Sequence, residues 1–194
     1  MNYGKTVTEA APQGNYLQCG INEKVNIARV VAEKWGDKTV ADVFLENGGN
    51  EFKWRIFPFN YNASFSNTEE EQEEKYLQNI KHVFSKAVGE ENYDKFIAQA
   101  KDFDSFIDIL SKMSVEKAGE KSKPIRLMLI AKKNKDKFYS TMPTWNGGFC
   151  EEMSTTPSKL KFDEVKYGMP KKDAAKVEDA DSPFGTVSDD LPFN

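Results

Sequence analysis

The sequence predicts a mainly β protein with a helical insert, an α+β chain whose strands fall in two groups. Three observations predict it. Residues 25–61 are dense in aromatic and β-branched side chains on a two-residue period. The period lengthens to that of a helix at Thr68, and the strand pattern returns after "GEKSKP".

Each element follows from a local signal. "VNIARVVAEKW" reads as a first strand that breaks at Gly36-Asp37, and "KTVADVFLE" as a second. "NGGN" at 47–50 is a hairpin turn, from which "EFKWRIFPF" returns as a third strand. Thr68 and Glu71 fit a capping box, and the acids behind them suit the positive end of a helix dipole. In that helix Tyr76, Ile80, Phe84 and Ala87 share one face, and Gly89 stops it. A second helix turns Tyr93, Phe96, Ile97 and Ala100 inward; a third turns in Phe103, Ile107, Leu110 and Met113. This helical insertion spans about 68–117. "IRLMLIAKK", a turn at "NKDK" and "FYSTMP" make a closing hairpin, and "SKLKFDEVKY" is a further extended piece on the body.

Three strands, a helical insertion and two strands is the connectivity of an OB-fold, a five-stranded Greek-key barrel that binds oligonucleotides or oligosaccharides. The insertion between strands 3 and 4 is enlarged here to two or three helices. Another α+β arrangement with the same element order stays open. Residues 1–168 form this domain; 169–194 are expected to be a disordered acidic tail, because apolar content collapses there.

Composition narrows the class. A hydrophobic fraction of 39% and a charged fraction of 30% suit a soluble protein. No apolar run approaches the roughly 20 residues that span a bilayer, and no basic-then-apolar leader opens the chain, so no membrane partner and a cytoplasmic location are expected. Cys19 and Cys150 are expected to be reduced thiols. The net charge of −4 conceals a partition. Residues 119–172 carry twelve bases against six acids, whereas 68–118 carry seven against twelve and 173–194 one against six.

The basic residues recur beside aromatic ones. On the third strand Phe52, Trp54 and Ile56 face the core, while Lys53, Arg55, Phe57 and Phe59 face the other way, with Tyr61 beyond them. Phe44 opposes the core set Ala41, Val43 and Leu45 on the second strand, as Val40 does. On the fourth, Arg126, Met128, Ile130 and Lys132 oppose Ile125, Leu127, Leu129 and Ala131. Lys133 and Lys135 make the following hairpin tip basic, and Tyr139 shares a face with Lys137. A single-strand groove needs cations for phosphates and flat rings for unpaired bases. Phe57, Phe59 and Tyr139, with Phe44, are the candidate stacking rings; Lys53, Arg55, Arg126, Lys132 and Lys137 are the candidate phosphate contacts. The competing reading buries Phe57 and Phe59 under the helical insertion.

Catalysis finds no support. His82 is the single histidine, and it lies far in sequence from both cysteines, so no metal-ligand spacing exists. Neither "NGG" precedes the Lys-Ser/Thr of a phosphate loop. "EEEQEE" reads as a solvated helix face, and Cys150 beside Glu151 and Glu152 is a poor setting for a thiolate. Neither an enzyme nor a cofactor nor a metal is expected.

The chain ends "TVSDDLPFN", with a fainter echo in "DADSPFG". An apolar Leu191-Pro192-Phe193 behind Asp189 and Asp190 does not serve solubility. "DDLPF" resembles the acidic Asp-Asp-x-Pro-Phe peptide that closes bacterial single-stranded DNA-binding proteins, and the layout resembles that of a bacteriophage single-stranded DNA-binding protein. The resemblance implies coating of exposed single-stranded DNA without sequence specificity in replication, recombination and repair, with RNA a close variant. It implies that the tail docks replication and recombination proteins. Phe193 would be the anchor, Leu191 and Pro192 would fix its approach, and Asp189 and Asp190 would steer. In the bacterial proteins phenylalanine is terminal; here Asn194 follows, which favours a phage-encoded reader. The rival class is an adaptor working through the helical insertion and the tail.

Overall fold

The computed structural model describes residues 16–170, apart from residues 136 and 146 and the side chain of Lys137. The predicted docking peptide, Asp189 to Phe193, lies outside the described residues. The chain forms β1 (Gly20–Trp35), β2 (Lys38–Asn47) and β3 (Asn50–Ile56), then α1 (Glu69–Val88), α2 (Glu90–Ile97) and α3 (Phe103–Lys112). A short α4 (Val115–Ala118) precedes β4 (Ile125–Asn134), β5 (Lys137–Thr141), β6 (Cys150–Glu152) and the single turn α5 (Glu164–Tyr167). The result is an α+β fold with an antiparallel sheet and a helical insertion between β3 and β4, as the period changes predict.

Strand order is β3-β2-β1-β4-β5, and β6 pairs with β4 beside β5. Among the described residues no ladder joins β3 to β5, so the sheet is open rather than a closed barrel. β1 starts at Gly20, well before the Val25 that the pattern suggests, and works in two parts. Gly20 to Val25 pair with β4, and Asn26 to Trp35 pair with β2. Register shifts between Asn22 and Val25 and between Ile27 and Arg29 separate the parts. The second shift resets the alternation: Val25 and Ile27 are core, and so is Val30. Gly48 and Gly49, with φ of 56° and 88°, make the two-residue turn between β2 and β3.

The capping box closes as its spacing implies. The Glu71 N–H donates to Thr68 Oγ1 at 3.3 Å, and the Thr68 N–H donates to Glu71 Oε2 at 2.9 Å. Ile80, Phe84 and Ala87 of α1 then join Ile107 and Leu110 of α3 and the inner sheet residues Ile27, Val43, Leu45, Leu127 and Leu129 in one core cluster. Among the described residues no helix is long and apolar enough to cross a membrane.

Several expectations are corrected. Phe96 is exposed, because the inward stripe of α2 is Tyr93 and Ile97 continued by Ala100. Met128 is buried in the core cluster although it alternates with Leu127 and Leu129, since Phe149 and β6 lie along β4 and its N–H donates to the Phe149 carbonyl at 2.7 Å. The piece 158–167 packs on the body through Leu160 and Phe162, but it is not extended to its end, since Asp163 caps the turn α5. β3 stops at Ile56, so Phe57 and Phe59 leave the strand.

His82 ties the insertion to β6. Its Nε2 accepts the Cys150 N–H at 3.2 Å, and its ring meets Phe149 edge-on at 4.7 Å. Burial, reinforced by Lys86, holds its pKa below the ordinary 6.5. The unfolded chain therefore takes the proton first, and the stabilisation present above pH 6.5 is lost as pH falls through the lower folded value. The urea midpoint is expected to begin falling just below pH 6.5, and His82→Gln to remove that early portion. An unchanged slope in the variant would exclude His82 as its source. Burial likewise pushes the Cys150 thiol up to about 12, in keeping with an inert thiol.

Candidate nucleic-acid interface

The outer face of β1–β2–β3 is built in cross-strand rows. Arg29, Phe44 and Lys53 stand in one row, and Val31, Asp42 and Arg55 in the next. Trp35 follows on the same face of β1 by alternation. Arg29 lays its guanidinium 3.7 Å from the centroid of Phe44, and Arg55 lays its own 4.4 Å from that of Trp35. Phe57 meets Trp35 edge-on at 6.3 Å. Cations and rings thus alternate across three strands, and Trp35 remains 58% exposed.

A single carboxylate organises the cations. Asp42 is buried, and Arg55 grips it with two 2.6 Å hydrogen bonds while Lys53 stands at 3.4 Å. The hydrogen bonds from Arg55, aided by Lys53, outweigh desolvation and hold the Asp42 carboxyl below its ordinary range. Arg55 is mostly covered, whereas half of the Lys53 side chain is exposed. Arg55 is therefore fixed in orientation, and Lys53 is the more available charge. Arg29 is similarly paired with Glu51 at 3.0 Å.

The open edge of β3 borders two clefts. One, of about 400 Å³, lies between β3 and the segment 139–144 and is lined by Lys53, Arg55 and Tyr139 among others. The second, of about 630 Å³, runs from β3 under the 57–67 loop to α1 and is lined by Phe57, Phe59, Phe65, Tyr76 and Lys75. Trp54, Arg55 and Asn79 line both, so the two adjoin. Lys53, Arg55 and Lys75 are the charged residues of these linings; no carboxylate belongs to either.

Of the predicted site residues, the structure brings Lys53, Arg55, Phe57, Phe59 and Tyr139 onto these clefts. Phe57 is exposed, and Phe59 tilts against Tyr76 at 5.8 Å, so the helical insertion covers neither fully. Phe44 lies on the predicted face with Arg29 on its ring. Val40 is on that face too, yet wholly buried. Lys132 is exposed and pairs in register with Tyr139. Lys137 faces Asn134 across the hairpin, and its side chain is outside the described set.

Arg126 is held elsewhere. Its guanidinium donates to Glu23 at 2.6 Å and to Glu151, and reaches the Thr155 carbonyl at 3.3 Å. Burial raises the Glu151 carboxyl, but hydrogen bonds from Ser158, the Lys159 N–H and Arg126 outweigh it and leave the group below its ordinary range. This clamp joins β1, β4 and β6, so the Arg126 charge is compensated within the fold. Sequence reasoning missed Trp35, Phe65, Tyr76 and Lys75. The two-residue period carried down β1 from Arg29 would have found Trp35; the others reach the cleft by tertiary packing alone. Compared with protein-family models, curated proteins and solved structures, the chain matches none.

Proposed function

We infer that this protein binds single-stranded nucleic acid through the outer face of β1–β2–β3 and the cleft between β3 and β5. The observation that carries the reading is the lining of the two adjoining clefts: three cations, two of them sharing the one buried carboxylate of Asp42 behind the lining, and several aromatic rings, in a chain of net charge −4. Cations that track a backbone beside rings that receive bases is how strands are held without sequence preference. The strand order suits an OB-fold whose closing seam is open, and in that fold strands 2–3 and the loops after strands 1 and 4 form the binding surface. Trp35 borders the first of those loops, and Lys132, opposite Tyr139, the second. The protein serves the replication or recombination of a phage genome, and the Asp189–Phe193 peptide recruits its partners; both rest on the resemblance of the tail.

The test is fluorescence anisotropy of a labelled dT oligonucleotide, with a duplex of equal length, at two salt concentrations. Strong preference for the single strand is expected. If Lys53, Arg55 and Lys75 each neutralise a phosphate, the log–log salt slope is about −2, and Lys53→Glu lowers its magnitude by about 0.7. Lys53 is the appropriate site because half of its side chain is exposed and it stands 3.4 Å from Asp42, whereas Arg55 is mostly covered and makes both hydrogen bonds to that buried carboxylate. Equal affinity for duplex, or none for either, would overturn the reading, and an adaptor would tolerate Lys53→Glu.

A further inference from the structure

A second surface lies away from these clefts. α1 and α2 flank a groove of about 370 Å³ whose floor is Leu77, Tyr93 and Ile97. Leu77 is 38% exposed, unusual for a leucine on the inner flank of a helix pair. Glu70, Glu73, Glu74 and Asp94 rim the groove. Its cation, Lys81, is already engaged, bonding Asp94 at 2.8 Å and Glu90 at 3.2 Å. Among the described residues Glu70 and Glu73 form no ion pair. The groove is apolar within and acidic around.

The same chain carries the complementary shape. In the β4–β5 hairpin, Lys133 stands opposite Phe138, and Lys132 opposite Tyr139. Alternation places the first pair on one face and the second on the other. Tyr139 lines the cleft beside β3, whereas Phe138 lines neither cleft and is 42% exposed. Lys135 stands at the tip with φ of 53°. Lys133 and Lys135 are exposed and form no ion pair among the described residues. An exposed ring flanked by uncommitted cations therefore projects from the face that nucleic acid does not use.

We propose that the β4–β5 hairpin of a second copy docks in the α1–α2 groove, with Phe138 entering between Leu77, Tyr93 and Ile97 and with Lys133 and Lys135 meeting the glutamate rim. Charge complementarity selects this occupant: residues 68–118 carry an excess of five acids and residues 119–172 an excess of six bases. Hairpin and groove are different surfaces, so the contact is heterologous. A single contact leaves a free groove on one copy and a free hairpin on the other, so copies join in a row; only if both contacts form at once does the pair close, and it is then isologous.

The experiment is sedimentation velocity on the full chain without nucleic acid, so its outcome does not depend on the binding reading. Association is expected to grow with protein concentration at low salt and to vanish near 0.5 M salt, where the Debye length is only about 4 Å. Phe138→Ser is expected to raise the dissociation constant about thirtyfold, as truncation of a central aromatic anchor does. Two charge-swapped chains decide the register. One carries Lys133→Glu with Lys135→Glu, and the other Glu70→Lys with Glu73→Lys. Each is expected to be monomeric alone, because like charges then face each other, and to associate when the two are mixed. That recovery also shows that neither chain has misfolded. A chain that stays monomeric at every concentration, or association unaltered by Phe138→Ser and by the swaps, would overturn the proposal.

Discussion

Replacing both Phe57 and Tyr139 by alanine is expected to weaken binding of a short dT oligonucleotide by about 2–6 kcal/mol, since each stacked base is worth roughly 1–3 kcal/mol. The two rings come from different elements and stand on clefts that Arg55 joins. Both are close to half exposed, so truncation removes little of the core and the fold should survive. Each single variant is expected to show about half the loss, with additivity if the rings receive different bases. Salt dependence should change little, because no cation has been removed. Phe138→Ala is the matched control: its ring is as exposed as that of Tyr139 but faces away from the cleft. On an oligonucleotide that admits one protein, it should bind like the unaltered chain. A double variant that binds within about twofold of wild type would remove stacking from the mechanism.

Phe84→Ala is expected to destabilise the protein by about 3–5 kcal/mol, measured by urea unfolding. Phe84 is fully buried on α1 and belongs to a cluster that includes inner residues of β1, β2 and β4 as well as α3. Its removal leaves a cavity where the insertion meets the sheet. Tryptophan fluorescence, which reports on Trp35 of β1, Trp54 of β3 and Trp145 packed on the core, and far-ultraviolet circular dichroism, which weights the helices, should shift together. Separate transitions would mean that the insertion folds as its own unit.

What the sequence made legible was local. The Thr68–Glu71 box, the Gly48-Gly49 turn and the inward faces of α1 and α3 are short-range arrangements, and each stands where the pattern puts it. The alternation on β3 likewise places Lys53 and Arg55 together on the outer face. The failures were long-range. Arg126 sits 103 residues from Glu23 and 25 from Glu151, so no periodicity announces their clamp. The three residues of β6 are too few to show a period. Trp35 was missed because the reading of basic and aromatic faces left out β1, where the register shift after Ile27 moves the outer set to Arg29, Val31 and Trp35. The path of the 57–67 loop, which brings Phe65 and Tyr76 to one cleft, depends on how α1 packs and not on any spacing within the loop.

The divided pairing of β1 has a mechanical consequence. In the order β3-β2-β1-β4-β5, β1 is the hinge plate between two leaves, one of β2 and β3 and the other of β4 and β5. Beyond β1 and the shared core, the edges of the leaves face each other across the cleft that Lys53 and Tyr139 line. Bulges bend a strand and raise its twist, so the two register shifts in β1, on the spine opposite that cleft, bear on the angle between the leaves, as the spine of a clasp bears on its mouth. A residue inserted or deleted at those shifts would alter the width of that cleft without touching a single side chain of its mouth.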